Sequence, residues 1–190
     1  MRSFNHENAF TGLEAAIVLI AFVVVAAVFS YVVLGAGFFT TQKSQEVVHT
    51  GVQQASSTLE IVGNVYGVGT AATSITMINF SAALAPGGTP VDFDKVVITY
   101  SNASVLETLG KIATKGGTVT SGKWGIVTVQ NEVTNDNVLE KGEQFDITAK
   151  PTNAILKNDQ FQLEIKPAVG AALGISRTAP ASIQAVNILY

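Results

Sequence analysis

The feature that most restricts the fold of this chain is one uncharged apolar segment near its N-terminus. No charged residue occurs from Ala15 to Gln42, and small aliphatic, large aliphatic and aromatic residues fill most positions. About 20 apolar residues are enough to cross a bilayer as a helix, and a helix drawn from this segment has no polar side. We therefore predict a helix that is enclosed by lipid, by protein, or by each in turn.

A single carboxylate, Glu14, stands at the start of this segment. With Thr11 it fits a capping box, in which the threonine caps the first helical turn and the acid bonds back to the backbone. It also suits the positive end of the helix dipole. A second interpretation is compatible with the first. If the nine preceding residues were removed, Glu14 would be the fifth residue of the mature chain, and its carboxylate would neutralise the new N-terminal ammonium group of its own or a neighbouring subunit.

The run Phe10-Thr-Gly-Leu-Glu14, followed by the apolar helix, resembles the N-terminus of archaellins, the archaeal flagellins, and more loosely that of type IV pilins. The likeness continues at 137–145, which resembles the family's turn before a late strand, and at 177–190, which resembles its C-terminal strand. The resemblance implies a structural subunit of the archaeal motility filament. Its helices would leave the membrane and form the filament core, its β domains would form an extracellular outer shell, and a motor complex with its membrane platform would turn the polymer.

The same resemblance implies that a prepilin-type leader peptidase cuts between Ala9 and Phe10, so that residues 1–9 are a leader. An ordinary secretory signal has an apolar core before its cut site. Here the leader is short and polar and the cut precedes the apolar core, so that the helix is retained in a membrane-inserted precursor. The leader departs from the family pattern in its charge, because Arg2 is its only firmly basic residue and Glu7 cancels it.

Beyond the apolar segment, the spacing of apolar residues predicts that the helix continues to residue 64, so that it covers residues 10–64. Apolar residues recur every three or four positions along a polar stretch, as on one side of a helix, at Val48, Val52, Ala55, Leu59 and Val62. Gly63-Asn64 is typical of a helix stop. We therefore predict one helix of about 50 residues, or about 75 Å at 1.5 Å per residue.

Residues 65–190 read as a β domain in which strand-like runs alternate with turn residues. In the clearest run, Phe161, Leu163 and Ile165 alternate with polar residues, which is the period of a half-buried strand. The predicted strands are 74–84, 91–100, 124–130, 144–149, 160–166 and 182–190. Their number and spacing favour an immunoglobulin-like antiparallel β-sandwich without the antibody disulfide, since the chain has no cysteine. The expected fold class is α+β, with the long apolar helix first.

Composition and motifs exclude several functions. The net charge is −3 and the 11 Lys and Arg residues are scattered, so no nucleic-acid surface is expected. Gly117–Lys123 resembles a phosphate loop, but the strand-like run that begins at Trp124 stands where a helix is required, so we interpret it as a β-hairpin turn. Polar residues at 135–143 have calcium-type ligands without EF-hand spacing, and such turns usually solvate themselves. We predict no catalytic residue, no metal site, no cofactor and no enzymatic activity.

Two sequons, Asn79-Phe-Ser81 and Asn102-Ala-Ser104, are candidate sites of N-glycosylation in an exported protein. Archaellins are commonly N-glycosylated, so the resemblance supports both. Asn102 follows a predicted strand end, an accessible setting, whereas Asn79 lies inside a predicted strand.

Three alternatives stay open at this point. The first is an adhesive pilin of the same superfamily, static rather than rotating. The second is a membrane-anchored β-sandwich that binds a ligand as a monomer, although an ordinary anchor needs neither so long a helix nor an acid at its start. The third and weakest is an extracellular enzyme.

Overall fold

The structure, a computed structural model, describes the backbone at residues 6–56, 58–70 and 73–190, and the side chains at 12–52, 54, 58–69 and 73–190. The chain divides into two compact units, Met1–Thr50 and Gly51–Tyr190. The described residues of the first unit, from His6 onward, lie within a long helix, and the second unit contains the strands. The predicted α+β class, with an apolar helix before a β domain, is confirmed.

The helix, α1 (His6–Ser56), has 51 residues. At 1.5 Å per residue it is about 75 Å long. It already includes residues before Phe10, so Thr11 lies inside the helix and not at its N-cap, and the predicted capping box is wrong for the uncut chain. A residue inside a helix has its own N–H and carbonyl in the backbone ladder, which leaves no first turn for Thr11 to cap. Residues Met1–Asn5 of the predicted leader lie outside the described residues.

The β unit contains twelve described strands, which are joined by turns and loops. They are β1 (Leu59–Thr70), β2 (Ser74–Leu84), β3 (Val91–Asp92), β4 (Val97–Asn102), β5 (Leu106–Lys111), β6 (Lys123–Gln130), β7 (Val138–Leu139), β8 (Gln144–Lys150), β9 (Ile155–Leu156), β10 (Gln160–Lys166), β11 (Leu173–Thr178) and β12 (Val186–Leu189). The order in the main sheet is β11-β10-β4-β5-β6-β8-β2-β1-β12, with β9 also paired to β2, and β3 with β7 forms a separate small sheet.

The predicted helix end at Gly63-Asn64 is wrong, because the chain changes from helix to strand seven residues earlier. Leu59 and Val65 are buried in the β core, at 2% and 1% exposure. The register of β1 against β2 shifts between Val62 and Tyr66, and Gly63 has a φ of +79°. Gly63 therefore belongs to a bulge in a strand, since a glycine accepts the positive φ that such a bulge requires.

The main sheet curls so that its two end strands meet. Thr178 at the end of β11 donates its N–H to the carbonyl of Tyr190, just past β12, at 2.9 Å. The β5–β6 pair is parallel and joins Gly110 to Lys123, so Gly117–Lys123 belongs to a crossover connection. Our interpretation of that motif as a hairpin turn is therefore wrong, because a hairpin joins antiparallel strands.

The curled sheet encloses one hydrophobic core built from both of its halves. Phe93 contacts Phe145 and Trp124 edge to face, with ring centroids 5.0 and 6.3 Å apart. Tyr100 of β4 stacks on Phe161 of β10 at 6.0 Å. Aromatic pairs of this geometry add to the gain from burying their surface. The core holds the β unit in one shape.

Candidate assembly site

The largest exposed apolar surface of the described chain is that of α1. The segment Gly12–Val52 is long and apolar enough to cross a membrane, and none of its most apolar part is buried within the chain. The large side chains along this segment from Leu13 to Phe39 are all more than half exposed. An apolar surface of this size is far beyond what a single soluble chain leaves in water. We define this surface, from Leu13 to Phe39, as the helix surface.

The polar side chains next to the helix surface are satisfied by the helix itself. The hydroxyls of Thr40 and Thr41 donate to the carbonyls of Ala36 and Gly37, at 2.8 and 2.9 Å. A threonine bonded in this way needs no water, so it is tolerated where a helix is packed in lipid or against another helix. These two residues therefore do not interrupt the apolar character of the segment before the first charged residue, Lys43.

Charge returns to α1 only beyond the helix surface. Lys43 and Glu46 form an ion pair with 2.7 Å between Nζ and Oε2, and both side chains are more than 60% exposed. One turn further, Thr50 donates its hydroxyl to the carbonyl of Glu46 at 2.7 Å. The helix thus has an uncharged part and a solvated part, as the sequence predicted.

Glu14 projects from α1 at the start of the helix surface and its side chain is exposed. The helix passes without a break through Ala9 and Phe10, so the bond predicted to be cut lies in helical backbone. The side chains of Ala9 and Phe10 lie outside the described residues. Their roles in leader cleavage, and that of Glu14 in assembly, stay predictions.

The two sequons have different surroundings. Asn102 ends β4, and its Oδ1 accepts the N–H groups of Ser104 and Val105 at 2.9 and 2.7 Å, which forms a tight turn before β5. Ala103 and Ser104 are exposed on this turn. A turn at a strand end leaves room for a bulky modification.

Asn79 instead lies in the middle of the sheet. It pairs with Tyr66 of β1 on one side and Thr148 of β8 on the other. Its Oδ1 accepts the hydroxyl hydrogen of Thr148 at 2.8 Å, and the residue is half-buried. N-glycosylation would take place at Nδ2 and would leave this bond intact, but it would have to reach an amide in the middle of the sheet and not one on a turn.

The acidic loop between β6 and β8 is organised by its own hydrogen bonds. Glu143 is 1% exposed, and its carboxylate accepts the N–H of Val133 at 2.7 Å and that of Glu140 at 3.0 Å. The Oδ1 of Asp136 accepts the N–H of Val138 at 2.9 Å. Within the described residues, no three histidines or acids are close enough to share a metal ion. The hydrogen bonds of Glu143 and Asp136 agree with the interpretation that the polar residues of this loop solvate themselves.

One apolar surface was not predicted from the sequence. The outward side chains of β12 are Val186 and Ile188. From the alternation at 186–190 we predicted a strand, but we did not infer that its outward residues would form an exposed apolar surface. Both residues are exposed, as is Tyr190 after the strand.

Comparison with known proteins agrees with this picture. Residues 9–177 match the model of the family described as archaeal-type flagellin. The chain is 44% identical to a protein named probable flagellin 1 of Archaeoglobus fulgidus, over 100% of this chain and 98% of that one. It is 37% identical to a probable flagellin 1 of Aeropyrum pernix, over 94% and 95% of the two chains. Among solved structures, it is similar to the archaeal flagellum of Methanospirillum hungatei strain JF1, with a TM-score of 0.70, 34% identity and coverage of 94% and 99%.

Proposed function

Because this chain belongs to the archaeal-type flagellin family and is a structural subunit of the extracellular archaellum filament, we propose that it polymerises through the helix surface of α1. On this proposal, helices of many copies bundle along the filament axis, and the β units form the outer shell. The rotation of the filament is supplied by a motor complex in its membrane platform.

The observation that carries the proposal is that no other part of the chain buries the apolar helix surface. Its large residues include Phe22 at 72%, Phe29 at 69% and Tyr31 at 80% exposure. Burying one Val, Leu, Ile or Phe side chain contributes about 1.5–3 kcal/mol. Some fifteen such residues in each subunit would hold a bundle together without covalent links, even after the entropy lost on association is subtracted.

Before assembly, the same surface would be covered by lipid. The apolar part of α1 exceeds the roughly 20 residues that a bilayer requires, which supports a membrane-inserted precursor. A leader peptidase would then release the chain by cutting between Ala9 and Phe10. The new ammonium group on Phe10 would enter an apolar bundle, where an unpaired charge is costly, and Glu14 would supply the opposite charge.

The experiment that tests this proposal is expression of the full chain in an archaeal host whose own flagellin genes are deleted. We expect filaments in electron micrographs, swimming cells, and N-terminal sequencing of the filaments that begins at Phe10. Dispersed single molecules that retain Met1 would contradict the proposal and support a membrane anchor. Filaments on cells that do not swim would support the adhesive pilin instead.

The role of Glu14 is tested separately with Glu14→Ala, and Glu46→Ala is its matched control. Both residues are exposed acids on α1, but Glu46 lies in the solvated part of the helix. We expect Glu14→Ala to reduce the yield of filaments strongly while Glu46→Ala leaves it near that of the unchanged chain. Normal filaments from Glu14→Ala would remove the role of this residue and leave the filament function intact.

We also propose that Asn102 is the preferred glycosylation site. Its sequon is on an exposed turn at the end of β4, whereas Asn79 lies in the middle of the sheet between β1 and β8. Intact-mass spectrometry of native filaments should show added mass that Asn102→Gln removes and Asn79→Gln leaves. An unchanged mass in Asn102→Gln filaments would contradict this preference.

A further inference from the structure

A polar groove lies beside Asn102, where β4 ends next to β10. Its volume is about 340 Å³, at the lower end of the range of small-molecule sites, about 300–1,000 Å³. The seven residues that line it are uncharged, and five of them are polar. We call it the sequon groove, and its polar residues are Ser101, Asn102, Gln160, Gln162 and Ser176.

Gln162 lies at the centre of a polar row across the sequon groove. It pairs with Ser101 of β4 on one side and with Ser176 of β11 on the other, so the three side chains are neighbours on one side of the sheet. On β11, Gly174 has no side chain, and a Cβ atom placed there would lie 3.6 Å from Nε2 of Gln162. The amide of Gln162 therefore extends towards Gly174, and its short neighbours leave it accessible from the groove.

The polar side chains of the sequon groove, apart from that of Asn102, are free to bind another group. Within the described part of the chain, those of Ser101, Gln160, Gln162 and Ser176 have no hydrogen-bond partner. A glutamine amide offers one acceptor oxygen and two N–H donors, and a hydroxyl group both donates and accepts. A concave, uncharged surface with these groups matches the hydroxyl and amide groups of a neutral sugar.

The other sequon also lines a groove, but there the polar groups satisfy one another. That groove contains Asn79, Ser81, Asp146 and Thr148. Ser81 donates its hydroxyl to Oδ1 of Asp146 at 2.6 Å, and Thr148 donates its hydroxyl to Oδ1 of Asn79 at 2.8 Å. Gln130 donates to the second oxygen of Asp146 at 3.0 Å. The sequon groove at Asn102 differs from it because its hydrogen-bonding groups still need a polar partner.

We propose that the sequon groove binds the first, neutral sugar residues of the glycan attached to Asn102. This inference rests on the proposed glycosylation of that residue. The Oδ1 atom of Asn102 is held by the N–H groups of Ser104 and Val105, so the plane of the amide is fixed and Nδ2 directs the glycan along one path. Asn102 is itself one of the lining residues, so a sugar bonded to it starts at the edge of the groove.

The covalent link makes a weak site sufficient. A few hydrogen bonds to neutral groups give a free sugar little affinity, because water competes for the same groups. A sugar on a short link, by contrast, is present at an effective concentration in the millimolar range. The attached sugar therefore occupies a site that a dilute solution of the same sugar would leave empty.

The first test measures the accessibility of a thiol in the groove, since the chain has no cysteine of its own. Ser176→Cys places a thiol on the groove wall, and Thr128→Cys places a control thiol on an exposed position of β6. Each full-length variant is produced with its glycan, and also without it in a host strain that lacks the N-glycan transferase. Both forms are treated with a small maleimide as detergent-dispersed monomers, so that filament contacts do not contribute.

We expect the glycan to slow the reaction of Ser176→Cys at least about fivefold, because the reagent reaches the thiol only while the sugar is away. Thr128→Cys should react at the same rate in both forms. Equal rates for Ser176→Cys, with added mass on Asn102, would overturn the groove and leave glycosylation intact. Equal slowing of Thr128→Cys would also overturn it, because the glycan would then shield the whole β unit. If Asn102 carries no added mass, the proposed glycosylation fails and the groove proposal fails with it.

The second test measures stability. A sugar that binds the folded chain and not the unfolded one stabilises the fold, and the occupancy expected above should raise Tm by about 3 °C. We expect this rise between the two forms of the unchanged chain and of the control Gln130→Ala, which removes a glutamine outside the groove. In Gln162→Ala the glycan should raise Tm by less than about 1 °C. The same rise in Gln162→Ala as in Gln130→Ala would overturn the proposal.

Discussion

The buried carboxylate of Glu143 allows one stability prediction to be worked out from the structure. Its two oxygens accept N–H groups from Val133 and Glu140, at 2.7 and 3.0 Å, and hold the loop between β6 and β8 against the core. A hydrogen bond to a charged group contributes about 1.5–3 kcal/mol. Both hydrogen bonds are only partly buried, so the lower end applies to each, and Glu143→Ala should lose about 3 kcal/mol in free energy of unfolding.

The matched control is Glu140→Ala, three positions away in the same loop. The Oε2 of Glu140 accepts the hydroxyl of Thr134 at 3.2 Å in a solvent-exposed contact, so its loss should cost under about 1 kcal/mol. The loss in free energy of unfolding for Glu143→Gln should lie between those of the two alanine variants. The glutamine side chain keeps one acceptor oxygen, but its NH2 group is a donor and would face a backbone N–H group.

These differences can be measured by urea unfolding of the full chain in mild detergent, followed by the fluorescence of Trp124, the only tryptophan. A loss of about 3 kcal/mol should also lower Tm by roughly 10 °C in a unit of this size. The reasoning is refuted if Glu143→Ala unfolds within about 0.5 kcal/mol of the unchanged chain, or if Glu140→Ala is destabilised as much.

Four further predictions concern other parts of the chain. Burial raises the pKa of the Tyr100 hydroxyl from 10.0 to about 12. The contribution of the protonated hydroxyl to the free energy of unfolding is therefore complete below pH 10 and is lost as the pH rises towards 12. Tyr100→Phe should remove this part of the alkaline instability in unfolding titrations. Because the Tyr100 hydroxyl is buried without a hydrogen-bond partner among the described residues, Tyr100→Phe should not lower stability at pH 7. Trp124→Ala should lose about 3–5 kcal/mol in urea unfolding, since Trp124 is 1% exposed and contacts Phe93. Val25→Asp should abolish sedimenting filaments without lowering the Tm of the β unit. The reason is that a charge in the middle of an apolar membrane helix costs about 2.5–3.5 kcal/mol. The control Gln45→Asp, in the solvated part of α1, should leave the filaments intact.

The sequence predicted best those elements whose pattern has a single physical interpretation. The runs 74–84 and 160–166 are confirmed as β2 and β10 with the same bounds, because apolar and polar residues alternate there between clear turns. The apolar part of α1 was equally unambiguous, since an uncharged segment of that length can satisfy its backbone in lipid only as a helix.

The sequence failed where two patterns overlap. Leu59 and Val62 extend the spacing of an amphipathic helix, so residues 59–64, the first part of β1, were assigned to the helix, although Leu59 packs in the β core. Strands β5 and β11 were missed because their sequences alternate weakly and one is an edge strand. For such short segments, long-range pairing outweighs local preference, and pairing partners cannot be seen in one sequence.

The candidate sites divide in the same way. Glu14 could be singled out from the sequence, because a lone charge beside an apolar segment is conspicuous without any structure. The sequence already placed Asn102 at a strand end and Asn79 within a strand; the structure adds that Asn79 lies between two neighbouring strands, β1 and β8, which one sequence cannot show.

By itself, the sequence determined that this chain has an apolar helix that must be buried in lipid or against protein, followed by a β domain. It could do so because hydrophobicity and its period are local properties. The tertiary structure alone decided where the helix ends, how the sheet curls, why Glu143 is buried, and which apolar side chains lie on the outer side of β12. Those features depend on which residues meet across the fold, and contacts between distant parts of a chain are fixed only when the chain packs.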